Sequence, residues 1–314
     1  MAIHHPNSIL RSRLQELSSL LSGVRNVDID AVHDARVATR QLRELLPIVD
    51  TGGSESADAI ARIRKAGRAM GGVRELDVLY SLLDDLDGRA TFAAQALARM
   101  REDARQARDT ARRRMVKELE HLELDGLERQ LLQRSKWPAL SSALRFRPRW
   151  HRRLRARVGR RAATLGDALE RISGVYMPNR SHAARVAVKK LRYGVEIAGE
   201  TGFWQVPGVE KALRRAQSTL GDIHDLQVLV DRAGQRHSDG GDAREWAWLR
   251  DLLQADIASQ HRSFIERRER LEAAVRACVH WARPVSVRWP TRSFVVLPLA
   301  ASAAVVPLLA KSRR

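Results

Sequence analysis

The chain has 314 residues, 56 of them Lys or Arg and 37 Asp or Glu, for a formal charge of +19 with histidine neutral. A chain this long buries a sizeable core as one large domain or two smaller ones, and its single cysteine, Cys278, excludes a disulfide framework and a thiolate metal cluster. At 44% apolar and 30% charged residues the composition is globular, and the excess of cations calls for a polyanionic partner: nucleic acid, an anionic membrane or an inorganic polyanion.

Aromatic residues make up only 5% of the chain, which counts against a module that stacks single-stranded bases on exposed rings. The opening segment Met1–Pro6 has no apolar run behind a basic start, so no secretory signal is read from it and a reducing, cytoplasmic setting is the expectation.

Up to about residue 282 the segments are rich in Ala, Leu, Arg and Glu, with apolar residues three and four apart, which predicts an all-α protein. In chain order, helices are expected near 8–22, 31–49, 55–86 with a break at Gly71-Gly72, and 90–121, then near 153–172, 181–199, 209–232 and 242–279. Further breaks are expected at Gly52-Gly53, Pro178-Asn179, Gly202, Pro207-Gly208 and Gly240-Gly241.

The two sets of helices share order and length, and their sequences repeat. Val32–Arg43 aligns with Ser181–Arg192 at an offset of 149, and Met70–Leu79 with Leu220–Leu229 at an offset of 150. Two matches in register predict an internal duplication, with a first half over 7–136, a connector over 137–152 and a second half over 153–281. Across the junction, Arg145–Arg161 holds nine arginines and no carboxylate, so a polyanion is the favoured partner of that block. The tail 284–314 differs in character. Its uncharged run Phe294–Ala310 is short for a bilayer span and interrupted by Pro298 and Pro307, so a packed or disordered extension is expected rather than a membrane anchor.

On a helical wheel His33, Arg36, Arg40 and Arg43 fall within an arc of about 80°, opposite Ala38, Leu42, Leu45, Leu46 and Val49. His182, Arg185, Lys189 and Arg192 repeat the arc, and each stripe runs about 15 Å along its axis. Taken singly, each of these is an ordinary surface cation. Together they are not, because Arg36/Arg40 and Arg185/Lys189 stand at i and i+4, where like charges cost an isolated helix a few tenths of a kcal/mol. Glu44 is placed to pair with Arg40 and Glu196 with Arg192, while Arg36 and Arg185 have no such partner within their stripes.

Each leading histidine either donates to a phosphate oxygen or is satisfied by backbone at the helix start; companions that are themselves cations argue against a metal ligand. Arg64-Lys65 and Arg214-Arg215 correspond at the offset of 150 and are candidates for the same surface. Arg74 and His224 also correspond, each followed by a carboxylate, Glu75 or Asp225, which suggests a local hydrogen-bonded clamp orienting the basic group.

These residues resemble the CHAD domains, an all-helical family. The resemblance rests on His33-x-x-Arg36-Val37-x-x-Arg40-x-Leu42-Arg43, its copy from His182 through Arg185, Lys189, Lys190 and Arg192 to Tyr193, and Leu220–Leu226 with its partner at 70–76, and covers roughly residues 7–281. It implies two four-helix bundles related by a pseudo-two-fold, a shared basic surface or pore lined by the histidine helices, and non-catalytic binding of inorganic polyphosphate in association with polyphosphate granules. The implied contacts are His33, Arg36, Arg40, Arg43, Arg64, Lys65, Arg74, His182, Arg185, Lys189, Lys190, Arg192, Arg214, Arg215 and His224, with no cofactor or metal. Gln41 and Glu75 depart from the family pattern, which predicts weaker binding by the first half.

Two other readings stay open. Phosphate neutralisation alone would also serve nucleic acid. His182, His224-Asp225 and Asp256 mimic the ligand order of a metal-dependent HD-type phosphohydrolase, although the duplicated dipeptide reads Arg74-Glu75.

Overall fold

A computed structural model describes residues 6–49, 54–124, 126–127, 131, 149–204, 206–236 and 242–283. They form nine α-helices and no strand: α1 (Pro6–Arg25), α2 (Ile29–Leu45), α3 (Ser54–Asp85), α4 (Ala94–Glu120), α5 (Arg149–Glu170), α6 (Pro178–Glu200), α7 (Val209–Arg236), α8 (Ala243–Glu266) and α9 (Arg268–Ala282). The chain divides at Pro284; the tail 284–314, the expected break at Gly52-Gly53, that at Gly240-Gly241 and most of the 137–152 connector lie outside the described residues. No helix among the described residues is long and apolar enough to cross a membrane.

Local chemistry sets the helix ends. Asp28 caps α2, its carboxylate accepting from the Ala31 amide at 2.7 Å, and Asp242 caps α8 through the Arg244 amide at 2.8 Å. Pro178 opens α6 at its first position, where a missing N–H costs nothing. Gly202, at φ 74°, turns the chain out of α6 in a conformation that a side chain would strain.

Two expected boundaries differ. α3 runs unbroken through Gly71-Gly72; Gly67 and Gly71 face α2, whereas Gly72 has nothing close to it and lines the groove against α4. A Cβ at Gly67 would stand 3.0 Å from Thr39 Oγ1, and one at Gly71 would stand 3.7 Å from Arg36 Nε. The single helix expected over 242–279 is instead α8 and α9, broken at Arg267, where the turn lets α9 fold back against α5 and α7. The second half also starts earlier than expected, with α5 opening at Arg149.

The buried positions recur along the chain. The pattern of buried, half-buried and exposed residues over 61–70 returns unchanged over 211–220, and that over 32–40 returns over 181–189 at every position except the histidine. α2 packs on α6, α3 on α7 and α4 on α8. The larger apolar cluster gathers α1, α2, α5, α6, α9 and the first parts of α3 and α7; a smaller one joins Leu79, Leu83 and Leu97 to Leu229, Trp246 and Leu253. Polar locks tie the distal ends together. Glu245 of α8 accepts from the Ala96 amide at the start of α4 at 2.8 Å, and Arg89 makes a two-pronged pair with Asp256, both contacts at 2.9 Å. Within α3 and α4, buried Asp77 takes Arg108 at 2.6 Å and Arg112 at 3.3 Å.

Candidate polyanion site

The packing of α2 on α6 brings the two basic stripes together. Arg36 and Arg40 of α2 act electrostatically on Arg185 and Lys189 of α6 across the contact, so the rows face each other. Among the described residues none of these four has an ion-pair partner within 4 Å, and Arg36 Nε is buried without a hydrogen-bond partner. Burial and like charge both oppose protonation here. The Arg36 guanidinium is pushed down to about 10, chiefly by burial and then by Arg40. Lys189 is pushed down to about 8 by burial, then by Arg40, Arg185 and Arg36. Arg185 is lowered in the same sense by burial, opposed by Asp225.

The histidines flank this row. His33 is half-buried near Arg74, and burial followed by the Arg74 charge lowers it. His182 lies 5.2 Å from His224, ring centre to ring centre, and burial, Arg185 and His182 push His224 down to about 4. Neither leading histidine makes a hydrogen bond to backbone among the described residues.

The expected clamps within Arg74-Glu75 and His224-Asp225 do not form. The carboxylates act on other helices instead: Glu75 of α3 on Arg36, Arg185 and Lys189, and Asp225 of α7 on Arg185 and Arg74. No ion pair joins any of these residues within 4 Å, so the two acids soften a cation cluster without cancelling it. Burial raises the Asp225 carboxyl, with Arg185 opposing.

At the ends of the track the two halves part company. Arg192 binds Glu196 at 2.6 Å and Gln217 at 2.7 Å, and Arg214 approaches Glu210 at 3.4 Å and Glu196 at 3.8 Å. Arg43, in contrast, stands exposed among Arg64, Arg40 and Arg68. Its one acidic neighbour, Glu44, does not pair with Arg40 as expected; α5 takes it, through Arg157 at 3.0 Å and Arg161 at 2.5 Å. Charge compensation therefore leaves the Arg43 end less neutralised from within than the Arg192 end.

Other expected contacts turn elsewhere. Of the two doublets on α3 and α7, Arg64 and Arg214 face the track side, whereas Lys65 lines a groove against α4 and Arg215 a groove against α9. The members of each doublet stand one wheel step of about 100° apart, although Arg214 and Arg215 also share the lining of a second groove with Glu210 and Lys211. Lys190 is exposed beside Lys189. The arginine block is only partly free. Arg157 and Arg161 hold Glu44, and Arg155 donates to the carbonyl oxygens of Trp281 and Arg283, so a polyanion is not needed to account for those three. Arg68 was not anticipated, although its i+4 spacing from Arg64 was a readable signal.

The hydrolase ligand set does not assemble. Asp256 is bonded to Arg89, and among the described residues no three His, Cys, Asp or Glu side chains are placed to hold a metal ion.

The described residues form an all-α domain in which two basic rows meet. The chain belongs to the CHAD domain family, whose pattern matches residues 8–234. It is 30% identical over 266 residues to the uncharacterized protein MT2285 of Mycobacterium tuberculosis (strain CDC 1551 / Oshkosh), a match covering 81% of this chain and 49% of that protein, so the chain spans about half of that relative's length. Among solved structures, the CHAD domain of the plant Ricinus communis superposes with a TM-score of 0.59 at 22% identity, covering 87% of this chain and 89% of that one. PptA from Streptomyces chartreusis superposes with a TM-score of 0.55 at 16% identity, covering 87% and 95%. These likenesses establish the fold.

Proposed function

We propose that this chain binds inorganic polyphosphate, without catalysis, along the track formed where α2 meets α6. The observation that carries the reading is the confrontation of Arg36 and Arg40 with Arg185 and Lys189, half-buried and without ion pairs among the described residues. Cations held in this way destabilise one another until an anion arrives; a flexible phosphate polymer supplies one charge after another along a row about 15 Å long. The guanidiniums of Arg36, Arg43, Arg64 and Arg185 make charge-assisted, often two-pronged contacts to phosphate oxygens, with Lys189 and Lys190 as point charges and His33, His182 and His224 as further donors. The sequence resemblance to CHAD domains points to the same ligand, and association with polyphosphate granules follows as part of this proposal.

The test is a binding titration against long-chain polyphosphate with DNA and RNA as competitors at matched phosphate concentration. Salt alone does not separate these ligands, since log K falls by roughly 0.7–0.9 per phosphate contact per decade of salt for either polymer. Polyphosphate held against excess nucleic acid, and affinity lowered roughly tenfold or more by Arg36→Ala with Arg185→Ala at unchanged helicity, is the expected result. Equal displacement by nucleic acid, or unaltered affinity in the double variant, overturns the reading.

A further inference from the structure

Away from the track, α7 and α9 enclose a groove of about 500 Å³ that the polyphosphate reading leaves without a role. Its apolar lining includes Val206, Val209, Phe264 and Leu271, the last three of them buried. Lys211 and Arg215 stand along one side, Arg267 and Arg270 along the other. All four are exposed, none has an ion pair among the described residues, and no carboxylate lines the groove.

A bare polyanion has no use for an apolar floor, and a purely apolar ligand has no use for four unpaired cations. A second copy of a chain with a formal charge of +19 is repelled by such a rim. The complementary surface is apolar along its centre and acidic along both borders. Its shape follows from the walls. Ala212 and Ala216 on α7, and Ala273 and Ala277 on α9, stand four residues apart and leave a trough at the spacing of helix ridges. We propose that this groove docks an amphipathic helix of a partner protein, its apolar stripe bordered by carboxylates. Arg215, which the duplication suggests for the polyphosphate surface, then contributes to protein recognition instead.

The probe is a pair of amphipathic peptides of about 18 residues, five turns, with leucine on one face and either glutamate or lysine on both borders. Fluorescence anisotropy with the full chain should show the glutamate peptide binding at least tenfold more tightly than the lysine peptide. Lys211→Glu with Arg270→Glu, both at exposed positions, should reverse that preference, and Ala277→Trp should block both. Arg36→Ala with Arg185→Ala should leave glutamate-peptide affinity unchanged, which separates this groove from the track. Equal affinity for the two peptides overturns the proposal, as does loss of binding in the Arg36/Arg185 variant. Capture by phosphatidylglycerol vesicles with no glutamate-peptide binding also overturns it, in favour of a lipid.

Discussion

Glu196 closes on Arg192 one turn earlier in α6 at 2.6 Å, while the residue aligned with Glu196 in the first half is Pro47, just past the end of α2, which offers Arg43 no charge. Glu210, which approaches Arg214, is likewise replaced by Ile60 beside Arg64. The duplicated track thus has one end neutralised from within and one end open.

That difference predicts unequal effects of equivalent substitutions. Arg43→Ala with Arg64→Ala should weaken polyphosphate binding roughly tenfold or more, since a hydrogen bond to a charged group contributes about 1.5–3 kcal/mol. Arg192→Ala with Arg214→Ala should cost less than threefold, because those guanidiniums must first leave their own carboxylates. Glu196→Gln should tighten binding. Isothermal titration of the three variants checks the order, and equal losses from the two arginine pairs would refute it.

Lys189 links function to stability. It is held down to about 8 by burial and by Arg40, Arg185 and Arg36, so its charge disfavours the folded state. Lys189→Met should raise the melting temperature of the ligand-free protein, by about 2–4 °C for each kcal/mol of repulsion relieved, while lowering polyphosphate affinity. A melting temperature that falls together with affinity would show that the lysine is structural.

The same residue fixes a pH dependence. Above about 8 the folded chain releases a proton that the unfolded chain keeps up to 10.5, so ligand-free stability should rise with pH across that window. Bound phosphate favours the charged lysine, so binding above pH 8 should take up a proton and weaken as pH rises. Calorimetry in buffers of different ionisation enthalpy measures that uptake, and Lys189→Met should abolish it. His224 acts in the acid range: the unfolded chain binds its proton near 6.5 and the folded chain near 4, so ligand-free stability should fall as pH drops through that interval.

Asp77 supplies a control remote from the track. It is buried between Arg108 and Arg112 of α4, and Asp77→Ala leaves those arginines without their acid. A loss of about 3–5 kcal/mol in denaturant unfolding is expected, the usual cost of removing one partner from a buried pair. Polyphosphate affinity measured on the folded fraction should be unchanged.

By itself the sequence determined the helices, their order, the repeat and the two faces of α2 and α6, because helical periodicity and capping act within a few residues. It also foresaw the Arg192–Glu196 pair, one turn apart on one helix. What it did not contain was the assignment of each charge to a partner. Glu44 belongs to Arg157 and Arg161, 113 or more positions along the chain, and Glu75 and Asp225 act on cations of other helices in both halves, Arg36, Arg185 and Lys189 for Glu75 and Arg185 and Arg74 for Asp225. Only packing decided those relationships, and with them which cations stay free, since ion pairing depends on distance in space and falls off over a few ångströms. Which surface each member of the Arg64-Lys65 and Arg214-Arg215 doublets meets has the same origin: the two stand about 100° apart on their helix, and the neighbouring helices determine what each side chain meets.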